Sequence, residues 1–381
     1  MRRLTVTAAL AAILAAAGTA SAATAAAGHR TQPPRSAVQS RVGFEQFRAT
    51  LLQAASPDRL LRLAHRTKTA RIAPAAPVST LGARPTPFAT RPSQLVPDDP
   101  DWNGEWGLQQ IGAPLAWALV PAGRPAVIAV IDSGVDPTQP DLQGALVPGA
   151  DFADSTGSTA DQFGHGTMVA GVIAARGNNG EGVAGACWSC LVMPVKVLDA
   201  SGMGSAQSVA EGIRFAVDNG ANVINMSFVL SAPDQGVADA IAYAEQKGVV
   251  VVAAAGNSGS SDPTYPASYP GVVSVAATDD SDQLYPWSTY GPWVNLAAPG
   301  CTVSTAMGGG FDEFCGTSAA APLVAGLAGL AFEAGAQSAA QVVATLESTA
   351  SPFGGAVGGG RVDAAGLVQH LAPEPDLTFL H

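Results

Sequence analysis

Three side chains in this sequence have the types and order that acyl transfer needs. Asp132 follows the apolar run "AVIAVI" (126–131), His165 stands between two glycines in "DQFGHGTMVAG", and Ser318 lies in "CGTSAAAPLVAG" ahead of a second apolar run. A serine hydroxyl is a poor nucleophile until a neighbouring base takes its proton, and a carboxylate that orients the base completes the set. From residue 96 onward the histidines are His165, His370 and His381, and the last two lie in the C-terminal stretch, so a base drawn from this part of the chain is His165. Each residue also has a plain structural reading. Ser318 could serve as the N-cap of a buried helix, His165 as a packed side chain, and Asp132 as a carboxylate paired wherever burial demands it.

Such groups act together only if buried elements deliver them to one place. With 381 residues, 47% of them hydrophobic and 13% charged, the chain has material for a large core. Short β-branched runs recur at "AVIAVI" (126–131), "LVMPVKVL" (191–198), "ANVINMS" (221–227), "GVVVVAAA" (248–255) and "GVVSVAA" (271–277), each reading as a strand buried on both faces. Helical patterns intervene at about 165–175, 205–219, 235–246, 318–333 and 338–349. The alternation predicts an α/β fold, a mostly parallel central sheet with helices on both faces. Reactive groups in such sheets gather at the carboxyl ends of strands, where Asp132 falls.

The front of the chain differs. "MRRLTVTAALAAILAAAGTASA" joins Arg2 and Arg3 to an apolar stretch and an Ala20-Ser21-Ala22 site, so residues 1–22 are expected to be a signal peptide and the protein to be secreted and extracellular. That apolar run is shorter than the ~20 residues of a membrane span, and the longest later run, Ala319 to Phe332, is interrupted by Pro322. No membrane association is expected after signal cleavage. Residues 23–95, rich in Ala, Pro, Thr and Arg, read as a pro-segment and linker. Residues 96–371 are the main domain and 372–381 a tail. Charge divides at the same point: residues 1–95 carry 13 Lys and Arg against two acids, residues 96–381 carry 6 against 28, and the whole chain has net charge −11. In an exported chain the basic segment is not expected to meet nucleic acid.

The order Asp132, His165, Ser318 is the order of the subtilisin triad. Across roughly residues 97–371 the chain resembles the subtilisin-like serine peptidases, and within them the thermitase-like branch. The matching stretches are "AVIAVIDSGVD", "FGHGTMVAG", "VMPVKVLDASG", "VINMS", "VVAAAGNSG", "YPASYP", "VNLAAPG", "GTSAAAPLVAG" and "GGRVDAAGLV". The resemblance implies a secreted serine endopeptidase acting through an Asp132–His165–Ser318 triad and an acyl-enzyme. It implies that Asn257 and the Ser318 backbone N–H meet the oxyanion. It further implies that Gly202, Met203 and Gly204 on one side, and Ser227, Phe228 and Val229 on the other, pair with an extended protein or peptide substrate. The family usually has Gly where this chain has Val229, which adds bulk beside the substrate. Thr264 matches a residue of the primary specificity pocket and is neutral, which favours apolar or aromatic side chains over Lys or Arg.

The same resemblance implies a structural Ca²⁺ held by the side chains of Asp99, Asp141 and Asn179 and the carbonyls of Arg176, Glu181 and Val183, hard oxygen donors suited to that ion. Four cysteines in an exported chain read first as disulfides. Cys187 with Cys190 and Cys301 with Cys315 each close a local loop, while two other pairings and a zinc site stay open. The expected partners are peptide substrates and the chain's own pro-segment as intramolecular inhibitor, with the protein acting as a monomer. A catalytically inactive homologue that binds peptides or partners through the same groove is the competing reading. An α/β-hydrolase lipase is disfavoured, because its residues run Ser, acid, His and no G-x-S-x-G surrounds Ser318.

Overall fold

The computed structural model describes residues 94–371, apart from 121–123, 155 and 355. The expected signal peptide, nearly all of the expected pro-segment and linker, and the tail at 372–381 lie outside the described residues.

After two short helices, α1 (Trp106–Gln110) and α2 (Ala113–Leu119), the chain alternates strand and helix. It runs β1 (Val127–Asp132), β2 (Ala150–Asp151), α3 (His165–Ala174), β3 (Leu191–Lys196), α4 (Ala206–Asp218), β4 (Val223–Met226), α5 (Gln235–Gln246), β5 (Val250–Ala254), β6 (Val272–Thr278) and β7 (Leu296–Pro299). A hairpin of β8 (Cys301–Thr305) and β9 (Phe311–Cys315) follows, then α6 (Thr317–Glu333), α7 (Ala339–Ser348), β10 (Gly360–Arg361) and α8 (Ala364–Leu371). Eight strands form one sheet in the order β10-β7-β6-β5-β4-β1-β3-β2, and every neighbouring pair is parallel. The sheet is the α/β architecture read from the sequence.

Successive side chains of a strand face opposite sides, and β1 shows what that does. Ile128 and Val130 pack with α3 and α6 in one apolar core, while Ala129 and Ile131 pack with α4 and α5 in another. Helices α4, α5 and α7 begin where Ser205, Asp234 and Ser338 accept a hydrogen bond from an N–H in the first turn. Helix α6 is buried along nearly all its length, and glycines allow close approach on its inner side. A Cβ on Gly326 would come 2.7 Å from Ala186, and one on Gly329 would come 2.7 Å from the Cys190 sulfur.

Two expectations are corrected. Pro322 does not interrupt α6, which runs unbroken from Thr317 to Glu333 with the proline inside it. Ser318 is not an N-cap; Gly316 holds that position and Ser318 is the second helical residue. Among the described residues no helix is long and apolar enough to cross a membrane. Cys187 is bonded to Cys190 and Cys301 to Cys315, the local pairing among those left open.

Candidate active site

Strand β1 ends on Asp132, whose side chain is fully buried. Its Oδ1 accepts the Ser133 N–H, and both carboxylate oxygens meet His165 Nδ1, at 2.8 and 2.9 Å. His165 is the first residue of α3, and Gly166 lets the helix come this close. A Cβ there would lie 2.1 Å from the Gly134 carbonyl oxygen and 3.2 Å from the Asp132 Cβ. With Nδ1–H given to the carboxylate, Nε2 is the basic nitrogen of the neutral ring. Burial works against the imidazolium, but the charge and hydrogen bond of Asp132, with the nearby charge of Asp161, outweigh it and hold the His165 pKa above its ordinary value.

Asp161 is the anchor of this corner, and it was not read from the sequence. One oxygen accepts the Ser133 hydroxyl and the N–H groups of Phe163 and Gly164. The other accepts the N–H and hydroxyl of Thr167. An anion at a helix N-terminus satisfies donors that the helix cannot. Here it fixes the start of α3 to the end of β1. The signal available was an acid four residues ahead of His165 in a stretch with few charges.

Ser318 lies over the end of β4. Its hydroxyl donates to the Ser227 carbonyl at 3.0 Å, and the Ser227 hydroxyl donates to the Ser318 carbonyl at 3.2 Å. Proline explains the second bond. Pro322 has no N–H to give the carbonyl four residues back, so the Ser318 carbonyl is left for Ser227 to satisfy. Asn225 donates to the Ser227 oxygen at 3.0 Å and completes the link to β4. Because β1 and β4 are neighbours with Ile131 opposite Met226, Asp132 and Ser227 each stand one residue beyond the same rung. The two couples, Asp132 with His165 and Ser227 with Ser318, thus sit over adjacent strand ends.

Asn257 follows β5. Its Oδ1 accepts both the N–H and the hydroxyl of Thr317, each at 2.9 Å, which leaves the Nδ2 group to donate. Gly316 has φ 136°, and a Cβ on it would occupy a point 3.3 Å from Asn257 Nδ2 and 3.5 Å from the Ser318 nitrogen. Two N–H-bearing nitrogens therefore border a space that glycine leaves open. Beside it, the side chains of Thr264 and Val229 approach Gly256, at 3.4 and 3.5 Å from its Cβ position, and the Thr264 hydroxyl is bound to the Ala255 carbonyl. Gly202 and Gly204 lie in the loop after β3, where the Asp199 backbone N–H donates to the Met203 carbonyl and Leu198 bridges Gly204. Phe228 is different: its side chain is buried in the core with α4 and α5, so only its backbone can face a peptide.

The expected cation ligands also come together. Asp99 accepts the N–H groups of Asn178 and Asn179, while Asp141 accepts the Val183 N–H and the Asn179 amide. Burial, with Asp99 and Glu181 nearby, pushes Asp141 up to about 6. Burial and the charges of Asp99, Asp141 and Asp101 raise Glu105 well above the carboxylate range. Among the described residues no donor meets the carbonyls of Arg176, Glu181 or Val183. Crowded carboxylates beside undonated carbonyls are a donor set that fits a hard divalent cation.

Residues 123–370 match the profile of the subtilase family. The chain is 42% identical over 280 residues to thermitase of Thermoactinomyces vulgaris, covering 72% of this chain and 100% of the relative. It is 41% identical to a thermophilic serine proteinase of Bacillus sp. (strain AK1), over 68% of this chain and 65% of the relative. The solved structure of a protease from Pseudoalteromonas arctica superposes with a TM-score of 0.66 at 29% identity, covering 73% of this chain and 100% of the other. The chain belongs to the subtilase family, the subtilisin-like serine endopeptidases.

Proposed function

We propose that the protein is a secreted endopeptidase that cleaves peptide bonds through an acyl-enzyme formed on Ser318. His165 takes the Ser318 proton as the hydroxyl attacks the carbonyl carbon and returns it to the departing amine, while Asp132 steadies the imidazolium between the two steps. Asn257 Nδ2 and the Ser318 N–H receive the negative oxygen of each tetrahedral intermediate, in the space beside Gly316. The convergence of those two donors next to Ser318 carries the reading, since a groove that merely bound peptides would have no need of them. Gly202 to Gly204 and Ser227 to Val229 flank the extended substrate, and Thr264 with Val229 shapes a neutral pocket for the residue before the scissile bond.

A structural Ca²⁺ held by Asp99, Asp141, Asn179 and the carbonyls of Arg176, Glu181 and Val183 would neutralise the crowded carboxylates and stabilise the loop after α3. Residues 1–22 direct export, and residues 23–95 act as a pro-segment that inhibits the enzyme until cleaved. A serine-directed fluorophosphonate probe tests the central reading. Covalent label on Ser318 in folded, processed protein is expected, and absence of label would leave the inactive peptide-binding homologue in its place.

A further inference from the structure

Three large apolar side chains are exposed among the described residues, Val96, Tyr290 and Met307. Met307, 47% exposed, stands beside the residue that precedes His165: a Cβ on Gly164 would lie 3.9 Å from the Met307 Cβ. It sits at the tip of the β8–β9 hairpin, and that tip is fixed from beneath. Asp136 accepts the Gly308 N–H at 2.8 Å, and the Gln139 amide donates to the carbonyls of Ala306 and Gly310. Lower down, Ser304 and Thr305 donate to the carbonyls of Met168 and Thr167 in α3. Phe314 of the same hairpin meets the His165 ring edge-on, with centroids 5.4 Å apart.

The outer side of the tip is clear. Gly308 and Gly309 have φ 88° and 86°, and Cβ positions on Gly308 and Gly310 meet nothing within 4 Å. A fixed backbone thus holds one apolar, half-exposed side chain beside Gly164, the residue next to the proposed general base. Direction follows from the chemistry of the proposed endopeptidase, on which this inference rests. His165 must reach the departing amine, so the segment beyond the scissile bond passes the flank of His165. Thr264 and Val229, proposed to shape the acyl-side pocket, close on Gly256 instead, and Met307 is not among the atoms near it.

We infer that Met307 is a specificity-determining residue for the leaving side of the substrate, covering the first side chain after the scissile bond and selecting apolar ones there. A thioether on a flexible stem adapts to aliphatic and aromatic shapes alike. Acidic side chains are disfavoured by the apolar contact and by a domain whose residues 96–381 carry 28 acids against 6 bases.

The test uses partitioning of the acyl-enzyme, which senses only the leaving side. Processed protein is acylated with a peptide ester, and leucinamide and glycinamide are compared as nucleophiles competing with water. The wild type is expected to favour leucinamide, and Met307→Ala and Met307→Gln should each lower that preference by about tenfold. Met307→Leu should restore it. An unchanged preference in the Ala and Gln variants overturns the inference. So does a change that instead appears when the residue two places before the scissile bond is varied. A wild type that forms no acyl-enzyme overturns the peptidase reading as well, which separates the two failures.

Discussion

Ser318 and Ser227 hold each other reciprocally, each hydroxyl donating to the other's carbonyl, at 3.0 and 3.2 Å. Ser318, the proposed nucleophile, is therefore fixed to the end of β4, and in the proposed mechanism its proton must turn from the Ser227 carbonyl toward His165 before attack. Ser227→Ala leaves the Ser318 carbonyl without its donor, because Pro322 cannot supply one. A buried acceptor left unpaired costs about 1–3 kcal/mol of stability, so the melting temperature should fall by several degrees, while kcat stays close to wild type because the Ser227 carbonyl that holds the Ser318 hydroxyl remains. Thermal unfolding would decide it, and an unchanged melting temperature would show that this bond does not secure α6 to β4.

Ser318→Ala, His165→Ala and the double variant should share one residual rate, at least about 10⁴-fold below wild type, because groups that act as a unit are not additive. Melting temperatures within a few degrees of wild type would show that the fold survives. Markedly different residual rates among the three would exclude the triad.

Acid activity follows from His165. Its pKa is raised, so the imidazolium persists to higher pH than usual. The active form is the neutral ring, and kcat/KM should therefore climb with pH through a limb centred above the ordinary value of about 6.5. Asp132→Asn removes the charge that opposes burial, which should move the limb downward and cut the rate. A limb that stays in place in the Asn variant would mean that Asp132 does not set the imidazole.

Calcium should raise the melting temperature of the wild type, since a ligand that binds the native state alone stabilises it by mass action. Chelation should reverse the gain. Asp141→Ala removes a proposed ligand that meets Asn179 and Val183, and a variant whose stability still followed calcium as the wild type does would place the ion elsewhere.

The basic segment 23–95 and the acidic domain should attract one another. Added in trans to processed enzyme, the segment is expected to inhibit at low salt and to weaken as ionic strength rises, because complementary charge is screened. No inhibition at low salt would refute docking, and inhibition indifferent to salt would remove charge as its cause.

The strands and helices around the site were legible because their signals are local. The run before Asp132 is apolar and β-branched and becomes β1, and the interval 235–246 is amphipathic, capped by Asp234, and becomes α5. The order Asp132, His165, Ser318 was equally plain. The partners that make those residues work were not. Asp161 looks like any loop acid until the fold gathers five donors around its two oxygens. The hairpin β8–β9 has polar strands with no strong pattern, and nothing local reveals that its tip carries Met307 beside Gly164, the residue before His165. Hydrophobic periodicity reports which face of an element is buried, so it specifies elements one at a time. Which residues meet across elements depends on sheet order and helix approach, and these are decided by the packing of the whole core.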